Sequence, residues 1–200
     1  MCSRYYLDGR AVIEIRKFTE ESGLGAMEIS VPEQRQDIRP SETAFVLVAN
    51  GSKILCQEKI WGFPRYEEKG LIINARCETA LSKSTFAESV LTRRCVIPAA
   101  GFYEWNSLKE KASFYSAGSP TLYLAGCYKY FNGADHFVIL TAPANESMKG
   151  IHDRMPLLLE EEDILPWLTD SARTEEFLLK KPHELKKDMD YEQISFPFLQ

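Results

Sequence analysis

The chain has 200 residues, 44% hydrophobic and 26% charged, which is enough apolar material for one well-filled domain but scarcely for two. That balance excludes disordered, collagen-like and disulfide-scaffold classes, and no apolar run reaches the roughly eighteen residues that a membrane-spanning helix needs. The net charge of -5 argues against a nonspecific nucleic-acid coat, yet residues 159–200 carry 11 acidic and 5 basic side chains and residues 1–158 carry 18 and 19, so the first part leaves room for a basic groove.

Short apolar segments separated by Gly, Pro, Asn and charged turns predict a strand-rich α+β fold in a single domain, residues 1–200. In chain order, strands are expected at Thr43–Ala49, Ile54–Trp61 and Leu71–Asn74. A helix follows at Thr85–Thr92, where Thr85 and Glu88 have capping-box spacing. Strands at Cys95–Ala100, Thr121–Tyr128 and Phe137–Thr141 precede a short helix at Asn145–Ile151 and a strand at Met155–Leu159. Glu160–Leu168 reads as a helix with its acidic residues in the first turn, and Ser171 caps a second over Ala172–Lys180. Gln193–Phe198 reads as a closing strand, placed at an edge by Pro197.

Five scattered cysteines without a CxxC pair, and three histidines that do not cluster with them, predict no metal site, no disulfide framework and a reducing cytoplasmic setting. No cofactor motif is present, and the polar start Met1-Cys2-Ser3-Arg4 lacks an apolar signal core, so export is not expected. If Met1 is removed, Cys2 presents an α-amine and a thiol on adjacent carbons, both partly available near neutral pH. The amine can form a Schiff base with an aldehyde, and the thiol can close onto the imine carbon to give a thiazolidine. Taken by itself, Cys2 also reads as an ordinary residue at a frayed end.

Four further stretches carry polar groups where a core would not. Strand alternation through Asn74-Ala75-Arg76-Cys77-Glu78-Thr79 puts Asn74, Arg76 and Glu78 on one face, either a polar site or a solvated edge. Glu104 stands in an apolar, aromatic run, Gly101-Phe102-Tyr103-Glu104-Trp105, which suits a general acid or base or a structural ion pair. His152, in Ile151-His152-Asp153-Arg154-Met155-Pro156, is the histidine best placed for proton transfer, with Arg154 a phosphate ligand or an ion-pair partner. Trp61, ending a strand before Gly62-Phe63-Pro64, is either a stacking platform for a base or a core ring.

Met-Cys-x-Arg, Trp-Gly, Asn-Ala-Arg-x-Glu-Thr, Arg-Arg-Cys-Val-Ile-Pro-Ala-x-Gly-Phe-Tyr-Glu-Trp and His-Asp-Arg-Met-Pro occur in that order, and together they resemble the SOS-response-associated peptidase (SRAP) family of abasic-site processing proteins. The resemblance spans residues 2 to about 159 and touches Tyr191–Phe198. It implies a barrel-like antiparallel sheet core flanked by a few helices, and suicidal capture of abasic sites in single-stranded DNA by a bacterial, cytoplasmic, nucleoid-associated monomer. It assigns the nucleophile to Cys2, a hydrogen bond near the terminus and sugar to Asn74, acid–base work on ring opening to Glu104, and a proton shuttle to His152. Arg4, Arg76 and Arg154 would hold phosphates, Trp61 would stack on a flanking base, and Thr141 would line the site. Ser3, Cys77 and Asn106 depart from the residues usual at those places (Gly, Ala and Lys). The alternatives are a cysteine peptidase that removes its own Met1, a lyase acting through β-elimination, and a noncatalytic reader of single strands.

Overall fold

The structure is a computed structural model that describes residues 2–21, 30–51, 53–65 and 69–189. Five strands close into a barrel. Thr43–Asn50 pairs antiparallel with Lys53–Trp61 on one side and Arg94–Ala99 on the other; Leu122–Phe131 then joins Arg94–Ala99 to Ala134–Pro143. The ring closes where Ala134–Pro143 meets Lys53–Trp61 in parallel, with Phe137 opposite Trp61. The strand Asn74–Arg76 hangs on this barrel, also in parallel, with Thr141 opposite Arg76. The barrel is thus mixed rather than purely antiparallel, because Lys53–Trp61 and Asn74–Arg76 both run beside Ala134–Pro143 in its own direction, each joined to it through a long connection.

A second, fully antiparallel sheet runs in the order Lys186–Met189, Lys111–Tyr115, Gly101–Trp105, Arg4–Leu7, Gln36–Ile38. The pleat sorts the barrel's side chains between two apolar clusters. Cys95, Ile97, Leu124 and Ile139 pack with Tyr5, Phe102 and Phe114 of the second sheet. Val96, Ala125, Val138 and Leu140 pack with Trp167 and Phe177 from the helices Glu161–Thr169 and Thr174–Leu178. A buried strand with apolar neighbours on both faces loses its alternation, which is why Arg94–Ala99 is buried throughout. Gly101 is required by close approach within this second sheet: a Cβ there would lie 2.4 Å from the Tyr6 hydroxyl and 2.5 Å from the Phe114 carbonyl.

The expected strands of the barrel are present, within a few residues, and Leu71–Asn74 divides into Leu71–Ile72 and Asn74–Arg76. Two expected helices contract. Asn145–Ile151 keeps only the 3-10 turn Glu146–Met148, and Ala172–Lys180 becomes a 3-10 turn at Ser171–Arg173 followed by Thr174–Leu178. The helix Gly9–Glu21, which the reading of the sequence left out, starts where the Asp8 carboxylate accepts the Ala11 amide at 2.9 Å. It buries Ala11, Val12 and Ile15. The expected strand at Gln193–Phe198 lies outside the described residues. Among the described residues, no helix is long and apolar enough to cross a membrane.

Candidate active site

Cys2 leads into the strand Arg4–Leu7, which lies between Gly101–Trp105 and Gln36–Ile38. The register pairs Arg4 with Tyr103, the residue before Glu104. The carbonyl of Cys2 accepts a hydrogen bond of 2.8 Å from Asn74 Nδ2, which ties the second sheet's first strand to the segment carried by the barrel. Cys2 is fully buried, and its thiol lies 3.7 Å from the Arg4 carbonyl, its acceptor. Burial pushes the thiol far above its ordinary range, and the charge of Glu104 pushes it further.

Glu104 is itself buried, and burial raises its carboxyl above the usual range; the charges of the amino terminus and of His152 pull it back. His152 is half-buried, near enough for its charge to act on Glu104. Its Nδ1 lies 2.9 Å from both the Arg154 amide and the Asp153 carboxylate. One nitrogen cannot accept from the first and donate to the second at once. With its hydrogen on Nε2 the ring accepts at Nδ1 from the main-chain amide, whereas a hydrogen on Nδ1 would be donated to the exposed Asp153 carboxylate instead. The buried Oδ1 of Asn74 receives no hydrogen bond among the described residues. Cys2, Asn74, Glu104 and His152 thus converge from four separate stretches of sequence.

The basic residues divide. Arg76 is exposed at the end of its strand, and Arg4 is half-buried, 3.7 Å from Asp37 and 5.2 Å from the Trp105 ring centre. Arg154 is buried and already engaged: its two terminal nitrogens donate to Glu78, and one also donates to the carbonyl of the fully buried Thr141. Sequence alternation had aligned Glu78 with Asn74 and Arg76, but the strand ends at Arg76 and a helical turn, Cys77–Ala80, carries Glu78 instead. Cys77 is buried in that turn, and Asn106 organises the hairpin after Trp105 by accepting the Leu108 and Glu110 amides at 3.0 Å each.

Trp61 does not offer a face to a base. It is fully buried, stacked with Phe137 at 6.2 Å and tilted against Tyr5 at 5.2 Å, and its Nε1 donates to the Ile73 carbonyl at 3.0 Å. The ring braces Tyr5, which lies on the strand that follows Cys2, and Ile73, which precedes Asn74. Among the described residues no His, Cys, Asp and Glu cluster could hold a metal ion.

The family profile described as "SOS response associated peptidase (SRAP)" matches residues 1–196. The chain belongs to the SRAP family. It is 31% identical over 175 residues to the abasic site processing protein YoqW of Bacillus subtilis, covering 80% of this chain and 78% of that one. It is 29% identical over 145 residues to YedK of Escherichia coli, also named an abasic site processing protein, covering 68% and 65%. A Bordetella bronchiseptica crystal structure shares the SRAP chain's fold with a TM-score of 0.76 at 21% identity, over 96% of this chain and all of that one. A Bacteroides thetaiotaomicron structure does so with a TM-score of 0.73 at 18% identity, over 94% and 91%.

Proposed function

We propose that this SRAP protein processes abasic sites by covalent capture on single-stranded DNA, in the DNA-damage response to which the family description refers. The observation that carries the reading is the joining of Cys2 to Asn74 beside the buried Glu104. Loss of Met1 would place an amine and a thiol in a pocket where a carboxyl of raised affinity for protons stands beside a histidine.

Glu104, protonated, helps the ring-closed sugar open to its aldehyde. The Cys2 amine attacks C1′, and a proton passes to the oxygen; loss of water leaves an imine. The thiol then adds across that C=N bond, its sulfur to carbon and its proton to nitrogen, and the thiazolidine closes with one water released overall. His152 moves protons by exchanging its Arg154 and Asp153 contacts. Asn74 holds the Cys2 carbonyl through Nδ2 and has Oδ1 left for the sugar hydroxyl. Arg4 and Arg76 hold flanking phosphates, and Arg154 does so on exchanging Glu78 for a phosphate, contacts that position the strand without reading its sequence.

An abasic residue costs less to expose than a paired base, because nothing must be unstacked. β-Elimination from the imine competes with ring closure. The peptidase reading, drawn from the family description, would use the same thiol as a thiolate on a peptide carbonyl.

The test is a denaturing gel of the purified protein with a single strand carrying one abasic site. A heat-stable adduct is expected from the wild type and none from Cys2→Ala; equal yields from both would reject the reading. Cys2→Ser, which keeps the amine, should shift the outcome to strand scission.

A further inference from the structure

Cys2 precedes the strand Arg4–Leu7 of the second sheet and Glu104 lies within its neighbour, whereas His152 sits in the loop that joins the barrel strand Ala134–Pro143 to Arg154–Pro156. That loop closes on itself: the Ala144 amide donates to the Asp153 carbonyl at 3.0 Å, and the His152 amide to the Met148 carbonyl at 3.3 Å. Asn145 stands at its start, and its side chain holds two stretches of chain at once. Oδ1 accepts from the Ser147 amide at 3.0 Å and from the Ser147 hydroxyl at 2.5 Å, which sets the turn Glu146–Met148. Nδ2 gives its two hydrogens to the carbonyls of Pro182, at 2.9 Å, and His183, at 2.8 Å. The His183 ring is in turn 2.8 Å from the Glu160 carboxylate. From there the chain buries Leu185 in the apolar cluster that holds Cys2, Phe102 and Met148, and enters the edge strand Lys186–Met189. Across the second sheet Met189, Ala112 and Glu104 stand in register.

A turn of this kind needs only the Oδ1 bonds to Ser147. The two Nδ2 bonds are additional, and both go to the segment that leads into the second sheet. We propose that Asn145 is a positioning residue for capture, a strap that fixes the His152 loop of the barrel against the sheet that carries Cys2 and Glu104. The proposal rests on the capture reading and deepens it. His152 and Glu104 handle protons in that reading, and the charge of His152 already reaches the Glu104 carboxyl. They hang on different sheets, so their separation is set by whatever joins the two. Asn145 makes its bonds to Ser147 and to main-chain carbonyls, and acts through His152. A shift of about 1 Å in a working group costs up to about 100-fold in rate.

Two variants separate the strap from the turn. Asn145→Asp keeps an oxygen for Ser147 and sets a second oxygen against the two carbonyls; Asn145→Ala removes both halves. In single-turnover capture of an abasic single strand, each should lower the rate at saturating strand about tenfold and leave the half-saturating concentration within about twofold. In a His152→Ala background the same substitutions should change the rate less than about twofold, because the group they position is gone. A further tenfold loss in that background would overturn the proposal, since a general structural fault adds to the first. The ring is also followed without DNA. The Arg154 amide donates to His152 Nδ1, so its hydrogen exchange, read by NMR, should rise in both variants toward that of His152→Ala. The Asn74 side-chain amide, held by the Cys2 carbonyl, should keep its wild-type resonance. Unchanged Arg154 exchange would overturn the proposal even where the rate falls. If the wild type gives no adduct at all, the capture reading has failed, and the exchange measurement still decides whether Asn145 holds His152. Should either variant fail to fold, His183→Ala, which frees the strapped segment from Glu160 and leaves Asn145 in place, should give smaller effects of the same sign, and no effect in either readout would overturn the proposal.

Discussion

Glu78 and Arg154 meet as a two-pronged ion pair, with both terminal guanidinium nitrogens on the two carboxylate oxygens and Nη2 to Oε2 at 2.8 Å. The forked geometry is the one an arginine offers to phosphate, so on the capture reading proposed above the carboxylate stands where a backbone phosphate would sit.

Glu78→Gln should therefore release Arg154 and tighten noncovalent binding of intact single strands by about two- to fivefold, as measured by anisotropy at low salt. The pair holds the Glu78 carboxyl below the usual range, chiefly through the Arg154 hydrogen bonds. A depressed pKa adds stability that is present above the ordinary carboxylate value and lost as pH falls through the depressed one. The variant's melting temperature should thus sit slightly below wild type at neutral pH and equal it in strong acid. The side chain is about half exposed, so the difference is small.

Asn74→Asp replaces the amide that donates to the Cys2 carbonyl with an oxygen that cannot. The capture rate should fall about 10- to 100-fold, the range expected for a lost buried hydrogen bond, beyond any weakening of intact-strand binding by the added charge. A single-turnover time course beside an anisotropy titration separates the two; weakened binding with an intact rate would contradict the assignment.

Glu104→Gln should slow adduct formation by about 100-fold or more, as loss of a general acid–base group does. Its stability should move the other way. The carboxyl's raised pKa, set first by burial, means that its contribution is full below the ordinary value and is lost as pH rises through the raised one. At neutral pH the Gln variant should melt at or above wild type, and the gap should close as pH drops below the ordinary carboxylate range. Thermal melts at three pH values check this.

Trp61→Phe should lower stability by about 1 kcal/mol, since the Ile73 carbonyl loses the indole donor and keeps the Ile139 amide, and should leave single-strand affinity unchanged. Denaturant titration gives the first and anisotropy the second. A large loss of affinity in a stable variant would restore Trp61 as a contact for bases.

The barrel was readable from the sequence because its strands are long and apolar: Thr43–Asn50, Lys53–Trp61 and Ala134–Pro143 have eight to ten residues each. The second sheet was not, apart from the aromatic run around Glu104. Its other strands, such as Gln36–Ile38 and Lys186–Met189, have three to five residues and carry charge on the open face. The helix Gly9–Glu21 did leave a signal, Asp8 as its cap with Ala11, Val12 and Ile15 behind it. The residues grouped around Cys2 were legible as motifs, whereas their partners were not. Nothing in the linear order joins Glu78 to Arg154, since that pairing arises when the chain returns across the barrel. Trp61 was readable as a ring at a strand end, but which side of the sheet it faced depended on Tyr5 and Phe137.

The strand that follows Cys2 is bonded on both sides, to Gly101–Trp105 and to Gln36–Ile38. A tether attached at Cys2 and pulled along that strand would load two ladders of hydrogen bonds in shear at once, whereas an edge strand would peel one bond at a time. The place where this chain would be fastened to its target is mechanically braced by the sheet that the sequence hid best.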